Sequence, residues 1–141
     1  MNNQINPKYI INPNHRNNNC HKSQWKINKN DEISLFNLTY NSQWILNDNK
    51  NKSIGFGIKK NGVNQIELLG YSATIYGQLR VRELKIAKFV ENQNIWHGYP
   101  ADYLLNKADT PPNIILKMWI NGNYINKKIM CKILKGQICN L

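Results

Sequence analysis

The chain has 141 residues, of which 41% are hydrophobic and 19% charged, a balance that suits one folded domain and argues against wholesale disorder. Nineteen Lys and Arg against eight Asp and Glu give a formal net charge of +11. No apolar run approaches the roughly 20 residues of a membrane-spanning helix, so the sequence predicts a protein without a membrane segment.

The first 23 residues show no regular spacing of apolar side chains. Pro7, Pro13 and the three asparagines at 17–19 interrupt any helix or strand pattern. We therefore expect a mobile, Asn-rich tail over residues 1–23, followed by a single α+β domain over residues 24–141. The opening residues do not resemble a secretory leader, which combines positive charge with an apolar stretch, and this favours a cytoplasmic location.

Short apolar runs separated by Asn and Gly indicate antiparallel strands between residues 24 and 81. The runs cover residues 33–40, 44–46, 54–58 and 66–71. The pair Asn61-Gly62 is typical of the two-residue loop that joins strands in a hairpin. The sequence thus predicts an N-terminal antiparallel sheet of three to five strands.

The segment from residue 79 to residue 92 combines two patterns. Leu79 and Val81 alternate with charged residues, as they would at the end of a strand. From Glu83 onward, the mixture of Leu, Ala, Lys and Glu favours a helix. We expect a strand that enters a middle helix near Glu83, and we expect this helix to cover the sheet.

The C-terminal third predicts a hairpin of two helices. Thr110 followed by two prolines suits the start of the first helix, and Gly122 suits a left-handed stop. Asn126 would cap the second helix, which runs to Lys135 and ends at Gly136. Four apolar side chains at helical spacing would share one face of it: Ile125, Ile129, Ile133 and Leu134.

The basic excess is concentrated near the carboxyl end of the sequence. The last acidic residue is Asp109, so residues 110–141 carry lysines without any counter-charge. A basic face of this kind attracts polyanions such as nucleic acid. The alternative is a solvated helix face in a chain encoded by AT-rich DNA, which favours Asn, Ile, Lys and Tyr. The lysines of the second predicted helix are Lys127, Lys128, Lys132 and Lys135.

Arg80 and Arg82 alternate with apolar residues, so both are expected to point from one face of a strand. Arginine in a chain that otherwise uses lysine suits bidentate contact with phosphate, and an ion pair with Glu83 is the alternative. Together with the lysines, these arginines make nucleic-acid binding the first predicted function. RNA is favoured over DNA because aromatic side chains, 10% of the chain, can stack on unpaired bases.

The sequence over residues 96–103 suggests a second function, since it places several chemically active residue types in a predicted loop. Histidine is the side chain most often used for proton transfer, so His97 would serve as a general acid or base. Asp102 would orient it, and Tyr99 or Tyr103 would donate a hydrogen bond to an anion. The protein would then be a small, metal-independent nuclease of the toxin type. The alternative is a structural turn that Trp96 and Tyr99 anchor on the core.

The cysteines and histidines do not match a usual zinc pattern. His15, Cys20 and His21 fall in the predicted tail, and Cys131 and Cys139 have no usual ligand spacing. Nucleophile motifs and phosphate-binding glycine loops are also missing from the sequence. The sequence predicts no metal and no cofactor, and it leaves a third function open, a non-catalytic module that binds a protein partner.

Overall fold

The computed structural model describes residues 7–47, 52–74 and 81–141, and over these residues the chain has an α+β fold. The strands are β1 (Lys8–Tyr9), β2 (Gln24–Trp25), β3 (Ile45–Asn47), β4 (Ser53–Gly57), β5 (Gly70–Tyr71), β6 (Glu83–Leu84), β7 (Ile86–Asn92) and β8 (Ile95–Ala101). The helices are α1 (Lys29–Asn41), α2 (Asn113–Asn121) and α3 (Lys127–Leu134). A five-stranded sheet has the order β1-β8-β7-β4-β3, and a three-stranded sheet has the order β2-β5-β6.

The larger sheet is mixed and draws on both halves of the chain. β1 pairs with β8 in parallel, whereas the other neighbouring strands of this sheet are antiparallel. The prediction of a purely antiparallel, N-terminal sheet is therefore wrong, although β3, β4 and β5 overlap runs that were predicted to be strands. Residues 7–23, assigned from the sequence to a mobile tail, contribute β1, a 3-10 turn at Pro13–His15 and the buried ring of His15.

Helix α1 occupies the run over residues 33–40 that was predicted to be a strand. The Asn28 side chain caps it by accepting a hydrogen bond from the Asp31 amide at 2.8 Å. Asp31 and Glu32 place negative charge in the first turn, where the helix dipole favours it. The buried side chains have the i, i+3, i+4, i+7 spacing of one helix face: Glu32, Leu35, Phe36 and Thr39.

Strands β6 and β7 replace the predicted middle helix over residues 83–92. Gln93 and Asn94, both with positive φ, form the two-residue loop between β7 and β8, as in the tight turns that match the twist of a hairpin. The loop at Asn61-Gly62 is longer than predicted, because the bridge that closes it pairs Lys60 with Ile66.

A hydrophobic core packs against each face of the larger sheet. Successive side chains of β4 and β7 point to opposite faces, so these two strands contribute to both sides. The core on the α1 side contains Trp25, Leu35, Phe36, Leu69, Ala87, Phe89 and Trp96. The core on the side of α2 and α3 contains Trp44, Phe56, Ile58, Ile66, Ile86, Ala101, Ile115, Leu116, Trp119, Ile125 and Ile133. No helix in the described ranges is long and apolar enough to cross a membrane.

The two C-terminal helices are confirmed, with two corrections at their ends. α2 begins after Pro112, which makes no side-chain cap, instead of after Thr110. Gly122 has a φ of −85°, and the left-handed residue is Asn123 at 62°. The predicted cap at Asn126 and the left-handed Gly136, with a φ of 66°, are both present around α3.

Candidate nucleic-acid interface

Four lysines lie on the solvent side of α3 and its C-cap, and we call them the lysine face: Lys127, Lys128, Lys132 and the C-cap residue Lys135. At about 100° per residue, they fall within an arc of about 140° on the side opposite the buried Ile133. Lys127, Lys128 and Lys135 are exposed and Lys132 is half-buried. None of the four takes part in an ion pair found within the described chain.

Packing and capping hold the lysine face in place. The Asn126 side chain accepts a hydrogen bond from the Ile129 amide at 2.8 Å, which satisfies one of the free amides of the first turn. Ile133 is buried in the core that contains Trp119. The first turn of α3 contains no acidic residue, and Lys127 and Lys128 add positive charge where the helix dipole is already positive. A bound anion at this end would therefore relieve a local repulsion.

Arg82, the second arginine predicted to contact nucleic acid, is engaged with Asp102. Its two terminal nitrogens donate hydrogen bonds to the two carboxylate oxygens of Asp102, at 2.6 and 2.5 Å. The side chains are 24% and 7% exposed. These two hydrogen bonds occupy the guanidinium nitrogens that a phosphate would otherwise contact. Arg82 is therefore not presented to solvent as a free cation. Arg80 lies outside the described residues.

Two of the three residues predicted for catalysis, His97 and Tyr99, lie on strand β8 instead of in a loop, and Asp102 follows the end of this strand. His97 and Tyr99 project from the same face of β8. The Tyr99 hydroxyl donates a hydrogen bond to Asp109 at 2.8 Å. Burial and the nearby Asp109 carboxylate raise the pKa of Tyr99, so its hydroxyl stays protonated at neutral pH.

The Asp102 amide and the Tyr99 hydroxyl both donate hydrogen bonds to the Asp109 carboxylate, whereas the Asp102 carboxylate faces a different partner. About 13 Å of strand already separate His97 from Ala101, the residue before Asp102. The Asp102 carboxylate is held by Arg82, and no hydrogen bond joins it to His97 or Tyr99 across the described ranges. The described residues therefore show no direct hydrogen bond through which Asp102 would orient His97.

A polar cluster that sequence reasoning missed surrounds Tyr99. The ring of His15 stacks on Tyr99 with centroids 5.0 Å apart. The buried Lys88 donates a hydrogen bond to the Ala108 carbonyl at 2.7 Å and lies 3.6 Å from Asp109. A lysine within the apolar run at 86–90 was the only sequence signal for it. Each of these groups has a protein partner, so the cluster stabilises the contact between the sheet and the 3-10 turn at Lys107–Asp109.

The described residues form no preformed metal-binding site. Over the described ranges, no group of three or more His, Cys, Asp or Glu side chains is arranged to hold a metal ion. Cys20 and Cys131 are exposed, and Cys139 is half-buried.

Comparison with known proteins returns no protein-family model, no curated protein and no solved structure that matches the chain. A functional assignment therefore depends on the residues of this chain and on their arrangement.

Proposed function

We propose that this protein binds RNA through electrostatic contact between the lysine face of α3 and the phosphate backbone. The observation that carries the proposal is the cluster of four lysines on one side of α3, in a stretch from residue 110 to residue 141 that has no acidic residue. Cations arranged in this way displace the counterions condensed on a nucleic acid, and this release favours binding.

The form of the lysine face favours a single strand over a duplex and favours binding without sequence recognition. An eight-residue helix is about 12 Å long, which leaves little length for reading bases in a groove. Lysine is a compact point charge, in contrast to the arginine fork that recognises guanine or phosphate bidentately. A flexible RNA strand can bring successive phosphates to so short a face.

Fluorescence anisotropy with a labelled single-stranded RNA of about 12 nucleotides tests the proposal. Titrations between about 50 and 200 mM salt should show an affinity that falls steeply as salt rises. A variant with Gln at all four lysine positions should bind at least about 10-fold more weakly. Its plot of log affinity against log salt should be less steep by about 0.7 for each phosphate of the single strand that the variant no longer neutralises.

A second variant with the same change in charge is the control. Lys22, Lys26, Lys29 and Lys52 are exposed and lie outside α3, so replacing all four with Gln lowers the net charge equally. This control should keep most of the wild-type affinity. Equal decreases in the two variants would show that only net charge matters, and absence of binding at about 50 mM salt would refute the proposal.

Cys131 allows an independent test, because it is exposed on α3 within the arc of the lysine face. A bulky maleimide attached there should block RNA, in a variant whose other cysteines are replaced by Ser. The same label on the exposed Cys20, in the variant that keeps only this cysteine, should leave binding unchanged. Unchanged binding after labelling at Cys131 would contradict the placement of RNA on α3.

A further inference from the structure

A cavity of about 270 Å³ lies between the end of the larger sheet and the segment that follows α3. Its apolar walls include Leu84, Ile86 and Ala101 from the strands, and Tyr103 lines it after the end of β8. Residues 138–141 form the opposite wall. The cavity is lined by both polar and apolar side chains, as small-molecule sites commonly are.

Hydrogen bonds of Gln137 connect the segment that forms the outer wall of the cavity to α3 and to Tyr103. The Gln137 amide donates a hydrogen bond to the carbonyl of Lys132 at 2.8 Å. The Tyr103 hydroxyl donates to the carbonyl of Gln137 at 2.8 Å. Three residue steps separate Lys135 from Ile138, so their Cα atoms are at most about 11 Å apart. A strand whose phosphates contact the lysine face would thus pass close to the cavity.

The dimensions of the cavity suit one aromatic ring system. A cavity of roughly 150 Å³ holds benzene, so 270 Å³ corresponds to a larger, bicyclic ring the size of a purine. The volume lies below the range of roughly 300–1,000 Å³ that encloses a drug-sized ligand. The apolar walls and the Tyr103 ring would contact the faces of such a ring.

The polar lining suits the edge of a nucleobase. Glu83 and Asn140 line the cavity and make no side-chain hydrogen bond to another described residue. A carboxylate accepts hydrogen bonds, and an amide both donates and accepts them, which is the mixture that base edges require. Arg82 and Lys85 also line the cavity. Arg82 is paired with Asp102, and the Lys85 ammonium donates a hydrogen bond to the Leu141 carbonyl at 2.7 Å. Both cations therefore have protein partners, and contact with phosphate is left to the lysine face.

We propose that this cavity receives one unpaired, purine-sized base of the RNA strand whose phosphates contact the lysine face. The inference depends on the proposed RNA binding and adds base recognition to it. The lysines would supply affinity for any phosphate chain, and the cavity would supply a preference for a strand with purine bases. Stacking and burial of one base contribute roughly 5- to 150-fold to affinity in proteins that bind single strands.

Three ligands of equal length and charge test the inference: oligoadenylate, oligouridylate and an abasic ribose-phosphate chain. The wild-type protein should bind oligoadenylate at least about fivefold more tightly than the abasic chain, with oligouridylate between them. Equal affinity for oligoadenylate and the abasic chain would overturn the base pocket and leave phosphate binding intact. Failure of all three to bind would instead overturn the proposed function and, with it, the base pocket.

Substitutions at exposed positions of the cavity complete the test without disturbing the core. Ile138→Trp and Asn140→Trp fill the cavity from side chains that are exposed in the folded protein. Both should lower affinity for oligoadenylate to the level of the abasic chain and leave binding of the abasic chain unchanged. Leu105→Trp, at an exposed residue outside the cavity lining, is the control. Retention of the adenine preference in both filled variants would refute the assignment.

Discussion

His15 is a buried histidine whose surroundings disfavour its charged form. Its ring is 8% exposed, and Nδ1 lies 2.8 Å from the carbonyl oxygen of Ser23, to which it donates a hydrogen bond. Burial lowers the pKa of His15, and the positive charge of Lys22 acts in the same direction. The folded protein therefore takes up a proton at this ring less readily than the unfolded chain does.

The lowered pKa of His15 predicts a loss of stability in mild acid. The unfolded histidine binds a proton below a pH of about 6.5, while the folded ring, with its lowered pKa, binds one less readily. The free energy of unfolding therefore falls as pH drops below that value. Urea titrations at pH 7.5 and 5.5 should show this fall in the wild-type protein. His15→Asn keeps a donor near Ser23 but does not titrate, so its stability should change less between the two pH values. His21→Asn, at an exposed residue, should behave like the wild type, and an unchanged pH dependence in His15→Asn would contradict the prediction.

Gly98 in β8 leaves no room for a side chain. A Cβ atom there would overlap the Phe89 ring and would lie 2.9 Å from the Tyr9 hydroxyl. Gly98→Ala should lower the free energy of unfolding by about 1–3 kcal/mol, because overpacking displaces buried neighbours. Gly62→Ala is the control, since no atom lies within 4 Å of its Cβ position and its φ is not positive. It should be neutral or slightly stabilising, and equal urea midpoints for the two variants would contradict the packing argument.

Asn126 connects the stability of α3 to the placement of the lysine face. Asn126→Ala removes the cap and should lower the free energy of unfolding by about 1 kcal/mol, with a modest decrease in RNA affinity. Asn126→Asp keeps an acceptor for the Ile129 amide and should retain stability, yet its negative charge beside Lys127 should weaken RNA binding. Urea unfolding and anisotropy on both variants separate the two effects. RNA affinity that followed stability alone would contradict electrostatic binding at this helix.

The C-terminal helices could be predicted because their signals are local. The cap at Asn126, the apolar spacing that includes Ile133 and the stop at Gly136 all lie within 11 consecutive residues. α1 could not be predicted in this way, because its buried face includes the charged Glu32. That carboxylate accepts hydrogen bonds from Tyr9 and Arg16, which are distant in sequence, so no local pattern identifies it as a buried residue.

Only the part of the candidate site that depends on local spacing could be predicted from the sequence. The lysine face follows from the helical spacing of Lys127, Lys128, Lys132 and Lys135, which is a local property of the sequence. The ion pair of Arg82 with Asp102 and the stacking of His15 on Tyr99 join residues from separate elements.

β7 was predicted to be a helix because both of its faces are covered, which removes the alternation of apolar and polar residues that marks a half-buried strand.

Across the described residues, one sheet supports two hydrophobic cores. Strand β7 contributes Ile86 to the core beneath α2 and α3, and it contributes Ala87 and Phe89 to the core beneath α1. β4 packs in the same way, with Phe56 in the first of these cores and a close approach of Gly57 to Thr39 of α1 on the other side. Loss of either core would expose one face of the shared strands to water.

Because the strands are shared, the described parts of the chain should unfold as one cooperative unit. Leu35→Ala removes buried side-chain atoms from the α1 side only and should lower the global free energy of unfolding by about 2–5 kcal/mol. Hydrogen exchange measures the two sides separately. Protection of the slowest amides in α2, on the far side of the sheet, should fall by the same free energy as protection in α1. Ile114→Ala, at an exposed position on α2, should change neither set by more than about 0.5 kcal/mol. Unaltered protection in α2 after Leu35→Ala would mean that the sheet does not couple the cores, and the lysine face would then depend on the C-terminal core alone.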